Sequence, residues 1–295
     1  MQEQDWLAER FERYRPRLRA VSYRMLGSLS EADDAVQEAW LRLSGADTSE
    51  VDDLGAWLTT VVARICLNAL RSRASRREEP IDTHLPDPIV SAVGGVDPED
   101  EVLIADSVGL ALLIVLDTLA PAERLAVVLH DVFDVPFEQI APIIDRSEPA
   151  TRQLASRARR RLRATPTPDT SVAEQWELVE AFLAAARDGD FEALLRVLDP
   201  DVVLRADAGA GAPGLSRIER GARVVASGAV TFNKLGYAYR LALVNGAPGV
   251  VTLVEGEPFA VLGFTVARGK IVEMNILSDA TRLRRLDLSL LGVSS

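Results

Sequence analysis

Two proline-bearing interruptions decide how this chain can fold. Pro80, Pro86, Pro88, Gly94, Gly95 and Pro98 punctuate residues 79–101, and Thr165-Pro-Thr-Pro-Asp-Thr-Ser171 makes a second stiff, extended stretch. Proline fixes φ and offers no N–H, so neither stretch continues a helix or a central strand. A chain of 295 residues interrupted at these points is expected to build several small cores rather than one. The expected bodies are residues 1–78, 102–165 and 174–295, joined by linkers at 79–101 and 166–173.

The first two bodies read as helical and the third as mixed. Leu18, Val21, Ser22, Met25 and Leu26 follow helical spacing until Gly27 breaks the run. Ser30 then reads as an N-cap, with Asp33 and Asp34 in the first turn and Val36, Trp40 and Leu43 as the buried stripe. A further helix starts near Leu54 after a polar loop over 45–53. In the second body, Ala122–Asp131 reads as a helix. Phe137–Ala141, the turn at Asp145-Arg-Ser147 and a helix from Glu148 make a helix-turn-helix pattern, in which Pro142 ends the first helix early. The third body opens with helices over Trp176–Arg187 and Phe191–Leu198. Strand patterns follow at Asp201–Arg205, Ala238–Val244, Gly249–Glu255, Phe259–Ala267 and Lys270–Leu277, with Asn245-Gly246 and Arg268-Gly269 as turns. The expected fold is multidomain: two all-α bodies and a C-terminal α+β body of helices on a curved antiparallel sheet.

Several classes of function drop out early. No run of eighteen uncharged apolar residues is present, so no membrane span is expected. Met-Gln-Glu-Gln-Asp-Trp carries no basic-then-apolar leader, and the single cysteine, Cys66, sits in an apolar helical pattern as buried filler. Together these point to the cytoplasm. The net charge is −11, and the first 165 residues hold 20 arginines, no lysine and 28 acidic side chains. Basic charge confined to particular faces of an acidic body predicts poor binding to naked DNA without a partner.

Those faces lie on two helical segments. In the first, Trp57, Val61, Arg64, Asn68 and Arg71 fall on one face beside Leu58, Val62, Ile65 and Ala69. Arginine, asparagine and an aromatic together suit phosphates, base edges and stacking on an unpaired base, although a solvated surface with Trp57 in the core has the same pattern. In the second, Arg152, Ser156, Arg159 and Arg163 share a face, flanked by Gln153, Arg157 and Arg160, with Leu154, Ala158 and Leu162 inward. As the second helix of a helix-turn-helix, its first half would enter the major groove while later arginines grip phosphates. Asp34, Gln37 and Glu38 form an acidic helix end that suits either dipole compensation or a basic partner helix.

These motifs resemble a known family. Asp33-Asp-Ala-Val-Gln-Glu-Ala-Trp-Leu-Arg-Leu43, followed by Trp57-Leu-Thr-Thr-Val-Val-Ala-Arg64 and Asn68-Ala-Leu-Arg71, resembles region 2 of extracytoplasmic-function (ECF) sigma factors. Pro121-Ala-Glu-Arg124, Phe137-Glu-Gln-Ile-Ala141 and Ser147 to Leu162 resemble their region 4. The third body, through Ala184-Ala-Ala-Arg-Asp-Gly-Asp-Phe191 and Leu198-Asp-Pro-Asp-Val202, resembles the cone-shaped SnoaL-like domain fused to a subset of these factors. Leu85-Pro-Asp-Pro88 is similar to that subset's linker motif. Asp207-Ala-Gly-Ala-Gly211 and Asp279-Ala-Thr-Arg-Leu283 are the nearest counterparts of its two C-terminal motifs.

The resemblance implies a promoter-specificity subunit of RNA polymerase that works by binding. Its partners would be the core enzyme, through the β′ clamp helices and the β flap, and promoter DNA. Asp34, Gln37 and Glu38 match clamp-binding positions. Arg64, Asn68 and Arg71 match the helix facing the melted minus-ten element, with the 45–53 loop near a flipped base, and Trp57 on the same face is a further DNA-binding candidate. Arg152, Gln153, Ser156 and Arg157 match the reader of the minus-thirty-five element, and Arg160 beside them is a further DNA-binding candidate. Asp82, Asp87, Asp97, Glu99, Asp100 and Glu101 would lie in the polymerase's RNA path. The third domain would be regulatory, with an intramolecular contact to the sigma domains.

No catalytic residue, metal site or cofactor is expected. His84 and His130 both fall outside the third body, and Tyr237, Tyr239, Arg240, Glu255, Asn275 and Asp207 read as structural groups without a paired acid–base partner. A helix-turn-helix regulator with a ligand-sensing domain is the alternative reading.

Overall fold

The computed structural model describes residues 2–46, 51–76, 83–94, 109–163 and 171–292. They divide into two compact units: one drawn from residues 1–80, 98–106 and 112–165, the other from residues 81–97, 107–111 and 166–295.

In the first unit, α1 (Gln2–Leu26), α2 (Leu29–Ser44) and α3 (Leu54–Arg76) pack on one another. Phe11, Leu18, Val21 and Met25 of α1 meet a core containing Val36 and Leu43 of α2 and Leu58, Val62 and Leu67 of α3, all buried. Gly27 adopts φ 71° and donates its N–H to the Tyr23 carbonyl at 2.8 Å, a left-handed stop at the end of α1. The N-cap of α2 is Ser28, two residues before the expected Ser30, so Asp33 and Asp34 sit beyond the first turn, which holds Glu31 instead. Asp53 caps α3 by accepting the Ala56 N–H at 3.0 Å.

The chain goes on with α4 (Gly109–Asp117), which belongs to this unit from residue 112 on, then α5 (Pro121–Val127), a π-helical turn (Val128–Val132), α6 (Phe137–Ile140) and α7 (Glu148–Leu162). The helix expected over Ala122–Asp131 therefore widens halfway. As expected, α6 stops before Pro142. Ser147 caps α7 by accepting the Ala150 N–H at 3.4 Å, with Pro149 in the first turn where its missing N–H costs nothing.

The second unit is α+β. Helices α8 (Val172–Asp188) and α9 (Phe191–Val197) lead into β2 (Leu198–Asp207), β3 (Arg217–Arg220) and α10 (Ala222–Asn233). Then come β4 (Ala238–Val244), β5 (Ala247–Val254), β6 (Glu257–Ala267), β7 (Lys270–Leu277) and α11 (Ala280–Leu283). The two-residue strand β1 (Val90–Ser91) pairs with the edge of β4, giving the order β1-β4-β5-β6-β7-β2-β3. The sheet is mixed rather than wholly antiparallel, because β2 pairs in parallel with β7. One face carries the apolar core, in which Val179 and Phe182 of α8, Leu194 of α9 and Val225 of α10 pack with Leu204, Val250, Phe264 and Met274. Strand β3 and helix α10 had no counterpart in the sequence pattern.

Candidate nucleic-acid interface

Helix α7 shows how a dense basic sequence divides once folded. Thr151, Ala155 and Ala158 are buried, Leu154 and Leu162 half-buried, so the inward stripe is turned slightly from the expected Leu154, Ala158 and Leu162. Gln153, Ser156, Arg157, Arg160 and Arg163 are exposed. Arg152 is exposed too, but donates to Glu148 at 3.1 Å and lies over the Phe137 ring at 5.0 Å. Arg159, expected among the phosphate-gripping arginines, donates to Asp131 at 2.8 Å and ties α7 to the π-turn. Arg161 reaches Glu123 of α5 at 3.2 Å. The outward face therefore presents an amide, a hydroxyl and unburied guanidiniums near the helix start, a donor and acceptor set that fits base edges in a major groove.

Helix α3 divides the same way. Arg64, Asn68 and Arg71 are exposed on one side, with Trp57 and Val61 half-buried along it. The buried stripe is Leu58, Val62, Cys66 and Leu70, while Ile65 and Ala69, expected there, are half-buried. Arg73 instead pairs with Glu31 of α2 and donates to the Leu26 carbonyl at 3.1 Å. Cys66 is packing material, and burial pushes its thiol up to about 12. Of the 45–53 loop, residues 47–50 lie outside the described residues.

On α2, Asp34 and Gln37 are exposed and Glu38 is half-buried, held by Arg42 at 2.9 Å. Leu41, 57% exposed, follows them at helical spacing. Asp33 pairs with Arg19 of α1 at 2.7 Å. Carboxylate, amide and an exposed apolar side chain along one face suit a protein partner with basic groups around an apolar strip.

In the second unit, three segments that the sequence marked only faintly converge. Arg282 of α11 donates to Asp87 through Nε at 2.7 Å, to Asp207 through Nη1 at 2.8 Å and to the Leu85 carbonyl through Nη2 at 2.6 Å. The Leu85 N–H donates to Asp207 at 2.9 Å, and Ile89 exchanges two bonds with Asn245 at 3.2 and 2.8 Å. Residues 83–91 thus form a strap seated on the sheet domain, with Leu85 and Ile89 buried. Burial alone would raise the Asp207 carboxyl. The His84 ring, the N–H groups of Leu85 and Gly209 and the Arg282 charge outweigh it and hold the group down at about 2. Gly209, at φ 74°, is fixed by crowding as well, since a Cβ there would fall 1.9 Å from an Asp279 carboxylate oxygen.

The strap places Asp87 in an ion pair; Asp82, Asp97, Glu99, Asp100 and Glu101 lie outside the described residues. Tyr237 belongs to an aromatic cluster with Phe232 and Phe259, and Asn275, buried, donates to Glu273 at 3.1 Å. Glu255 sits in the turn between β5 and β6, and Tyr239 and Arg240 lie on β4, so these groups are spread across the domain rather than gathered in one pocket. Among the described residues no group of three or more His, Cys, Asp or Glu side chains is placed to hold a metal ion, and no helix is long and apolar enough to cross a membrane.

Comparison with known proteins agrees with this division. Residues 10–76 match the family model for sigma-70 region 2, and residues 110–162 match that for sigma-70 region 4. The chain is 42% identical over 250 residues to the ECF RNA polymerase sigma factor SigJ of Mycobacterium tuberculosis, covering 82% of this chain and 80% of the relative. It is 34% identical to the probable ECF sigma factor SigI of the same species over 293 residues, covering 99% of this chain and 100% of the relative. The crystal structure of M. tuberculosis SigJ superposes with a TM-score of 0.76 at 34% identity, covering 95% of this chain and 99% of that one.

Proposed function

The chain belongs to the ECF RNA polymerase sigma factors, with a SnoaL-like domain at its C-terminal end, and from that premise we propose how each surface serves promoter recognition. Helix α7 reads the minus-thirty-five duplex through Arg152, Gln153, Ser156 and Arg157, with Arg160 on phosphate. Helix α3 faces the opened minus-ten element with Trp57, Arg64, Asn68 and Arg71. Asp34, Gln37 and Glu38 of α2, together with Leu41, dock on the β′ clamp helices, and the region 4 half meets the β flap. The working bodies are residues 1–78, 102–165 and 174–295, and the protein acts in the cytoplasm by binding rather than by catalysis.

One observation carries this reading. The exposed basic faces are narrow patches on a chain of net charge −11, several of whose arginines are already paired. Such patches suit DNA presented by a polymerase better than DNA met alone. The strap supports a regulatory role for the third domain, because the segment connecting the two sigma regions is held by that domain's Asp207, Asn245 and Arg282.

Reconstitution with core polymerase and a promoter library tests the reading. Specific initiation is expected only when chain and core are both present. A chain that shifts operator DNA without polymerase, and adds nothing to initiation, would overturn it in favour of a conventional regulator.

A further inference from the structure

The two edges of the sheet are finished differently. At one edge β3 is only four residues long and reads Arg217-Ile-Glu-Arg220, a short charged strand that discourages a further neighbour. At the other, β4 runs over seven residues, yet β1 pairs with only Leu243 and Val244. Beyond Ser91 the chain turns at Val93 and Gly94, the glycine at φ 90°. The Asn245 N–H donates to the Ile89 carbonyl at 2.8 Å across this edge, so the N–H and carbonyl groups of Leu241 and Tyr239, at alternate positions, aim outward too. Among the described residues they meet one donor, Nη1 of Arg240, at 3.5 Å from the Tyr239 carbonyl.

This open stretch adjoins an apolar patch. Leu241 lies opposite Val250 of the core, so Leu241 and Tyr239 share the helix-covered face of the sheet. Phe232 of α10, Tyr237 and Phe259 gather beside them, with ring centroids 5.2 to 6.3 Å apart. Phe232 is 38% exposed, Leu235 60%, Leu241 37% and Phe259 39%, a concentration that singly scattered surface residues do not produce. An unpaired strand edge beside exposed aromatic rings is a template for an incoming extended strand.

We propose that the occupant is a second copy of this chain, joined β4 to β4 across a two-fold axis at Tyr239. Such an axis requires opposed residues to share a face of the sheet, which restricts it to whole-residue positions. An axis at Leu241 sets Tyr239 against Leu243, whose outer edge β1 already fills. An axis at Arg240 opposes two guanidiniums. One further back than Tyr239 runs the pairing off the start of β4. With the axis at Tyr239, that ring meets its own copy, Tyr237 meets Leu241 and Ala238 meets Arg240, with about six backbone hydrogen bonds between the strands. Charge fits as well. Arg240 and Glu255 are exposed and have no ion-pair partner among the described residues. Arg240 of the second copy falls roughly 12 Å from Glu255 between Cα atoms, two strands across and two residues along, with only the small Ala238 and Leu253 in the row between. The two side chains together span that distance.

Sedimentation equilibrium of the full chain tests this, and a reversible monomer–dimer equilibrium is the expected result. Leu241→Glu, at an exposed position, should weaken association by more than about tenfold, because the new charge is buried at the joint without a partner. The thermal midpoint of the monomer should stay put. Register is read by oxidative cross-linking at single introduced cysteines, Cys66 being buried. Tyr239→Cys lies opposite itself at about 5.5 Å between Cα atoms and should cross-link, whereas Arg240→Cys, about 8 Å from its copy, should not. A dimer unmoved by Leu241→Glu, or cross-linked equally at both positions, overturns the proposal. A chain that stays monomeric while the Tyr239 and Leu241 amides exchange freely leaves the edge to a foreign strand and overturns it too. So does slow exchange of those amides at every concentration, which would mean that the same chain covers its own edge.

Discussion

Arginine meets carboxylate in two opposite ways in this molecule. On α7, Arg152 and Arg159 pair with Glu148 and Asp131 at the surface, with side chains 61% and 37% exposed. At the strap, Arg282 is 15% exposed and holds two carboxylates and a carbonyl at once. The surface pairs sit in high dielectric and are readily exchanged for another anion. The strap pairs lie among groups that have lost their water, so removing one partner strands the others. The same residue type therefore marks an interface in one unit and a fastening in the other, and exposure separates the two.

Arg282→Ala should break the contrast most severely. It removes the guanidinium that Asp207 and Asp87 share and should cost the second unit about 3 kcal/mol. Hydrogen exchange of the β2 and β7 amides reports this, and protection reduced by less than about tenfold would place Arg282 with the surface pairs.

On the DNA side, Gln153→Ala combined with Arg157→Ala should weaken holoenzyme binding to a minus-thirty-five promoter by about a hundredfold, as for two base-edge contacts. Binding to unrelated duplex should change far less. An equal loss on both DNAs would make these residues phosphate contacts instead.

The strap also has a pH signature. The Asp207 carboxyl titrates at about 2, below its ordinary value of 3.8, so its stabilisation is complete above about pH 4 and is lost as pH falls through 2. Asp207→Asn should cost about 2 kcal/mol at pH 7. In urea titrations the gap between variant and parent should close between pH 4 and pH 2; a gap constant with pH would mean that charge at Asp207 contributes nothing.

The smallest effect separates neighbours on one helix. Arg159→Ala should cost only about 0.5 kcal/mol of stability, the worth of an exposed pair, and change promoter affinity by less than about threefold. Arg160→Ala should weaken binding on every sequence and reduce the salt dependence by about one released ion.

Helix positions were legible wherever periodicity and punctuation agreed. Gly27, Ser147 and Pro142 fixed three helix ends, and the outward placing of Arg64, Asn68, Arg71, Gln153 and Arg157 followed from 3.6-residue spacing. Pairing was not legible, because Arg73 and Arg159 look like their neighbours until tertiary packing brings Glu31 and Asp131 to them. Strand β3 escaped because Arg217-Ile-Glu-Arg220 is charged at the sheet edge and lacks apolar alternation. The parallel pairing of β2 with β7 joins residues some seventy apart, for which local pattern holds no signal. The strap was hidden for a related reason. Leu85-Pro-Asp-Pro88 reads as linker from its prolines, yet its N–H and carbonyl groups find their partners more than a hundred residues away.

The π-turn at Val128–Val132 carries one more consequence. A wide turn absorbs an extra residue without adding a turn, and one residue in an α-helix amounts to a rotation of about 100°. The azimuth at which Phe133 leaves α5 is therefore set by the number of residues in that segment as much as by their kind. Removing a single residue from 128–132 would restore ordinary winding and leave the phenyl ring over Arg17 and Arg24, whereas forcing all five residues into ordinary winding would swing it away. Length and winding act here as one phase setting, so a related chain one residue shorter and ordinarily wound keeps the ring's seat, while one of equal length without the wide turn loses it even with every neighbouring side chain retained.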